Sequence, residues 1–255
     1  MKIEKQLLIS EETPWGVVDV WQEGSVRYLY IQDQTAIQSQ LDMARKEILL
    51  LQHNRAMMSF LLFQEQPQSI LLLGLGGGSI IHFLSHWFPE LKITVVDINE
   101  KIVSMGKKYF GVLETPQVSI EVADAYSYLL KTKQKNMSVI LVDLHNGNCL
   151  PDFLFKNDFM DQCFQALSLE GVLVINVLVS NDQNFIDIMT AVRKSFKGIG
   201  ICMPLDNQKN ILLFAFKSLR TLDMHQLHNK ASQCQQIYDI EFEKFVNDLI
   251  KVDAK

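Results

Sequence analysis

The sequence predicts a doubly wound α/β domain, a mostly parallel sheet with helices on both faces, preceded by a small N-terminal β lobe. Three observations carry this. From Ser69 onward, short apolar runs rich in Val, Ile and Leu alternate with stretches of helical spacing. Those runs are continuous rather than alternating, as strands buried on both faces require. The first of them, Ile70–Leu73, ends in the glycine cluster Gly74-Leu-Gly-Gly-Gly-Ser79, which opens a helix.

The elements follow in order. Gly16–Val20 and Arg27–Gln32 alternate apolar and polar residues about the turn Gln22-Glu-Gly-Ser25, which reads as a hairpin. Leu41–Phe63 has helical periodicity, with Leu49, His53, Ala56, Met57, Phe60 and Leu61 at three- and four-residue steps. Pro67 breaks it. The expected division is therefore a lobe and connecting helix over 1–66 and a ligand-binding domain over 67–255. Within the second part, strands are expected at Ile70–Leu73, Lys92–Val96, Val118–Val122, Ser138–Val142 and Gly171–Leu178. Helices are expected at Ser79–Trp87, Asn99–Phe110, Ala125–Lys131, Phe155–Leu167 and Asn184–Phe196. Ile199–Met203 and Ile211–Phe216 read as a closing pair, and Leu222–Val252 as a polar, helix-like tail.

Composition narrows the class. With 48% hydrophobic residues the chain has ample apolar surface to offset ordering entropy, which excludes a disordered protein. Its net charge of −5 lacks the basic excess that nucleic-acid binding needs. The apolar runs fall far short of the ~20 residues of a membrane span, so no membrane partner is expected. The N-terminus shows no apolar signal region. The 4 cysteines, Cys149, Cys163, Cys202 and Cys234, form no C-x-x-C pair, which fits reduced thiols and a cytoplasmic location. His82 and His86 have ligand spacing but no third partner nearby in sequence, so no metal is expected.

In a sheet of this kind ligands bind beyond the carboxyl ends of the strands, where strand order reverses. Candidate residues therefore lie just past each strand: the glycine cluster, Asp97, Asp124, Asp143 and Asn146, and Asn176. Glycines let the backbone approach a ligand without a Cβ in the way. Asp97, at the tip of the second strand, is placed to accept both hydrogen bonds of a ribose diol. Asp124, in Val-Ala-Asp-Ala, either accepts from an adenine amino group or caps the following helix. A dinucleotide enzyme does not need this second acid, which favours an adenosyl cofactor.

Taken together, Ile-Leu-Leu-Leu-Gly-Leu-Gly-Gly-Gly-Ser, Val-Val-Asp-Ile-Asn, Val-Ala-Asp-Ala and Val-Asp-Leu-His-Asn-Gly with Leu150-Pro151 resemble the spermidine synthase (polyamine aminopropyltransferase) family. The likeness is greatest to its bacterial spermidine-synthase-like branch and runs from about Trp15 to Val179. It implies a class I methyltransferase-like fold and an enzyme that moves an aminopropyl group from decarboxylated S-adenosylmethionine to a small amine such as putrescine. It makes Gly74, Gly76, Gly77 and Gly78 the cofactor loop, with Ser79 and Ala125 beside the nucleoside. Asp97 is then placed on the ribose, Asp124 on the adenine and Gln38 near the cofactor. Asp143 becomes the general base, with Asn146 in the same catalytic motif. A homodimer is expected by the same analogy.

The sequence departs from that family at three points, each removing negative charge. Ser79 and Asn146 stand where the family has acids, and His53-Asn54-Arg55 stands where it has Tyr-His-Glu. A dry amine cradle needs compensating carboxylates. The departures suit instead the carboxylate of intact S-adenosylmethionine, with Arg55 as a bidentate partner and methyl transfer as the alternative reaction. A non-catalytic nucleoside-binding relative is a third reading. His53, Arg55 and His145 are the candidate substrate contacts. Trp15, Trp21, Phe153 and Phe155 are candidate walls of the cleft.

Overall fold

The computed structural model describes residues 4–31, 37–132, 136–145, 150–179, 181–196, 200–206, 208–219 and 221–252. An antiparallel sheet comes first: β1 (Gln6–Thr13), β2 (Gly16–Glu23), β3 (Val26–Ile31) and β4 (Ile37–Asp42), paired in chain order. Its strands alternate, and Val18, Val20, Leu29 and Leu41 are buried on one face.

The second sheet holds β5 (Ser69–Leu73), β6 (Lys92–Asp97), β7 (Val118–Val122), β8 (Met137–Val142), β9 (Leu167–Leu178), β10 (Gly200–Pro204), β11 (Asn210–Phe216) and β12 (Ile250–Val252). Their order is β12-β10-β11-β9-β8-β5-β6-β7. β7, β6, β5, β8 and β9 run parallel, while β11 is antiparallel to β9 and to β10. Strand order therefore reverses between β5 and β8. The predicted closing pair forms as β10 and β11.

The helices are α1 (Gln52–Met57), α2 (Ser79–Trp87), α3 (Glu100–Phe110), α4 (Ala125–Lys131), α5 (Asn157–Ala166), α6 (Asp182–Phe196), α7 (Met224–Tyr238) and α8 (Phe242–Asn247). Successive strand residues feed opposite cores. Ile70, Leu72, Val139 and Leu141 join Phe60, Phe83, Phe110 and Phe245 on one face, and the buried side of the small sheet joins the same core. Leu71, Leu73, Ile140 and Val142 join Phe159, Ile188 and Val192 on the other. This is the doubly wound arrangement the continuous apolar runs require.

Three expectations need correction. Leu41–Phe63 is not one helix. The strand β4 runs to Asp42, whose carboxylate accepts from Ala44 N at 3.0 Å to turn the chain, and helix begins only at Gln52. It continues as a 3-10 segment, Met58–Leu62, in which every residue is buried. Burial on all sides removes the amphipathic boundary that periodicity relies on. The fifth parallel strand starts at Leu167, not Gly171. The polar tail divides into α7 and α8 and then adds β12 to the sheet edge.

Candidate active site

A cleft of about 450 Å3 opens at the carboxyl edge of the parallel strands, between the large sheet and the small one. β5 supplies Gly74 and Gly76, β6 Asp97, Ile98 and Asn99, and the turn after β7 Ala123, Asp124 and Ala125. The end of β8 supplies Asp143, Leu144 and His145, and Leu29, Ile31 and Gln38 close the cleft from the small sheet. Trp15, Asp152 and Phe153 complete its wall, whereas Trp21 and Phe155 lie outside it.

The glycine loop is shaped by contact with the strands beside it. Gly74 N donates to Val96 O at 2.8 Å, and Asp143 N to Leu73 O at 2.8 Å, so the loop leaves β5 pinned to both neighbours. Gly74 has φ +100°, and a Cβ there would stand 2.2 Å from Asp143 O. Gly78 caps α2 with φ +77°, and a Cβ there would stand 2.3 Å from Val112 Cγ2. Gly76 borders the cleft, while Gly77 and Gly78 face Ser39, Phe110 and Val112. Half of the cluster thus faces the cleft and half fits the loop against its support.

Asp97 organises the loops after β5 and β6. Its Oδ2 accepts from Leu75 N and its Oδ1 from Asn99 N, both at 2.8 Å. Burial raises its pKa, while these two backbone bonds act to lower it. Asn99 caps α3 by accepting from Lys101 N and Ile102 N. Asp124 borders the cleft and also caps α4, accepting from Ser127 N at 2.8 Å. Ala125 follows it, buried and bordering the cleft.

Across the cleft stands Asp143. Its Oδ1 accepts from Asn176 Nδ2 at 2.8 Å and lies 3.4 Å from His145 Nε2. Asn210 Nδ2 donates to Asn176 Oδ1 at 2.8 Å, which fixes the Asn176 amide. Burial acts to raise the Asp143 pKa. Its contact with His145, the neighbouring His53 imidazole and the Asn176 bond outweigh it and hold the carboxyl well below the usual carboxylate range. His53, on α1, does not border the cleft but acts on Asp143 and His145 through its charge, and burial pushes its pKa down. Asn146 lies outside the described residues.

The structure corrects the placement of Arg55 and Ser79. Arg55 does not border the cleft. Its Nε and Nη2 grip Glu241 at 2.9–3.1 Å, and Nη1 donates to Leu49 O and Leu50 O. A guanidinium anchored in this way is no partner for a ligand carboxylate. Ser79 is buried at the start of α2, where its hydroxyl accepts from Asn54 Nδ2 at 2.9 Å. His82 Nε2 donates to Phe110 O at 2.9 Å rather than pairing with His86.

Sequence reading named Asn176 as a strand-end candidate without giving it a role, and it left out Asn210 and Asp152. Asn176 had a signal: it is the one polar residue in the run Val172–Val179, and it is fully buried. A buried amide needs partners, and here they are Asp143 and Asn210.

A spermine/spermidine synthase domain model matches residues 51–205. The chain is 32% identical over 234 residues to the polyamine aminopropyltransferase of Chromobacterium violaceum, covering 91% of this chain and 88% of that protein. The chain belongs to the spermine/spermidine synthase family. As a member of that family it is a transferase. A probable spermidine synthase from Corynebacterium glutamicum shares the fold, with TM-score 0.74 and 15% identity over 90% of this chain and 93% of that one. Human methyltransferase-like protein 13, solved in complex with SAH, also shares it, with TM-score 0.66 and 21% identity over 74% of this chain and 93% of that one. Both likenesses are of the scaffold, which by itself does not separate the two reactions.

Proposed function

We propose that the protein transfers an aminopropyl group from decarboxylated S-adenosylmethionine to a small amine such as putrescine. The observation that carries this reading is Asp143. It is a carboxylate held ionised at the point where strand order reverses, on the wall of a cleft that Asp97 and Asp124 border at other strand ends. In this reading Asp97 receives the ribose hydroxyls and Asp124 the adenine amino group. Gly74 and Gly76 let the nucleoside approach the backbone, and Gln38 and Trp15 cover it.

Asp143 is the general base. Its carboxylate orients the ammonium of the acceptor and draws off a proton, so that the nitrogen can attack the carbon activated by the sulfonium. Asn176 and Asn210 keep it aimed into the cleft.

Methyl transfer from intact S-adenosylmethionine is less well supported. The cation expected to hold the methionine carboxylate, Arg55, is paired with Glu241 outside the cleft. Calorimetric binding of decarboxylated S-adenosylmethionine, S-adenosylmethionine and methylthioadenosine to one preparation tests the reading, together with detection of spermidine and methylthioadenosine. Preference for the decarboxylated donor and formation of both products are expected. Preference for the carboxylate-bearing cofactor, with methylation of an acceptor, overturns it.

A further inference from the structure

We propose that the Asp143–His145 pair, rather than Asp143 alone, takes up the proton shed by the attacking amine, and that this proton comes to rest on His145 Nε2. The inference rests on the aminopropyl-transfer reading and adds a second group to it.

The geometry begins with Asn176. Asn210 donates to its carbonyl oxygen, so its amide turns both hydrogens away from Asn210. One goes to Asp143 Oδ1 at 2.8 Å and the other meets His145 Nε2 at 3.3 Å. An amide NH2 only donates. We take this contact as a hydrogen bond in which Nε2 accepts, which puts the ring hydrogen of the neutral imidazole on Nδ1. Nδ1 is buried and has no hydrogen-bond partner among the described residues, which leaves Nε2 as the nitrogen that exchanges protons.

In that tautomer Asp143 Oδ1 and His145 Nε2 are both acceptors, 3.4 Å apart. Both residues border the cleft. The arrangement is short of one proton, and adding it creates a charge-assisted N–H to carboxylate bond, which is shorter and stronger than a neutral one. Catalytic hydrogen bonds of this kind are often long before substrate binds.

The two groups divide the work. With the proton on His145, that imidazole helps to hold the Asp143 carboxyl low, so the carboxylate anchors an ammonium and does not take the proton back. Imidazole, as a side-chain type, titrates nearest neutral pH and suits proton storage. Among the described residues, His53 from α1 acts on the pair, and Asp97, Asp124 and Asp152 border the same cleft. Arg55, which acts on His53, is neutralised by Glu241.

The step balances as follows. An acceptor arriving as R–NH3+ gives one proton to Nε2 and becomes R–NH2. Its lone pair forms the C–N bond to the aminopropyl carbon, and the C–S bond breaks with its electron pair moving to sulfur. The sulfonium becomes a neutral thioether, and the product nitrogen carries the positive charge. The imidazolium, paired with Asp143, returns its proton to solvent after product leaves.

Two measurements test this. The first is nitrogen-15 NMR of the resting protein, with His145 assigned by difference against His145→Gln. Nε2 is expected to be unprotonated above neutral pH; a hydrogen on Nε2 there overturns the inference, whatever reaction the enzyme performs. The second is the pH profile of transfer to putrescine. His145→Gln is expected to lower kcat by roughly 10²–10⁴-fold with little change in KM for the donor, and to lose the acidic limb. Added imidazole should partly restore His145→Ala. A variant within threefold of the parent, with the same pH profile, overturns the inference. A parent that makes no spermidine while its His145 shows the expected tautomer overturns the aminopropyl-transfer reading instead.

Discussion

The backbone of Gly74 rests against the carbonyl of Asp143: a Cβ on Gly74 would stand 2.2 Å from that oxygen. The glycine loop and the acid at the end of β8 are therefore one construction. What shapes the loop also sets the position of Asp143 in the cleft.

Gly74→Ala tests that coupling. The residue has φ +100°, and its new methyl would meet backbone rather than a side chain able to turn away. Left-handed strain and overpacking together predict a loss of about 2–5 kcal/mol in chemical denaturation. Gly200→Ala is the control. Its nearest neighbour, Met189 Cε, lies at an ordinary 3.5 Å, and a change within about 1 kcal/mol is expected. Equal losses would show that the contact with Asp143 is not what matters.

Asp143→Asn keeps the shape and removes the charge. Transfer is expected to fall by roughly 10²–10⁴-fold while affinity for methylthioadenosine stays within a few fold, because the nucleoside side is built by Asp97 and Asp124. The parent's carboxyl is held below its unfolded value. Its contribution to stability is therefore complete above about pH 5 and fades as the solution is acidified below about pH 4. Denaturation of parent and variant across that window should converge on the acid side. A constant difference would mean that the charge is not held by its neighbours.

The sheet was legible in the sequence because its strands are buried on both faces. Ile70–Leu73 and Val139–Val142 show unbroken apolar runs, and the acids Asp97, Asp124 and Asp143 that follow or end strands border one cleft. Arg55 was not legible. Its partner Glu241 lies 186 positions away, and nothing local distinguishes a cation aimed at a ligand from one clamped to a distant helix. Asp124 shows a further limit: one carboxylate both caps α4 and borders the cleft, so the two readings of the sequence did not exclude each other. β12 escaped notice because a strand of 3 residues at a sheet edge has no period to read.

Two histidines set a second pH dependence. Burial pushes the pKa values of His53 and His82 down, so the folded protein binds fewer protons there than the unfolded chain. Stability then rises with pH and is lost as pH falls below about 6.5, by at most about 1.4 kcal/mol per histidine per pH unit. His82→Gln should remove its share of that slope in denaturation at pH 7.5 and 5.5. An unchanged slope would place the effect elsewhere.

Arg55 and Glu241 give the sharpest division between the two transferase reactions. The pair joins α1, which carries His53, to the start of α8, and both side chains are partly shielded from solvent. A double-mutant cycle with Arg55→Ala and Glu241→Ala is expected to give a coupling of about 1–2 kcal/mol, above the usual surface ion pair because the contact is bidentate and backed by two carbonyls. Arg55→Ala should destabilise the fold yet leave the affinity ratio of decarboxylated to intact S-adenosylmethionine within about twofold, since its charge is already spent on Glu241. If intact S-adenosylmethionine instead weakened selectively by ~10-fold or more, Arg55 would have to leave Glu241 for the ligand carboxylate. Methyl transfer would then become the better account of the cleft.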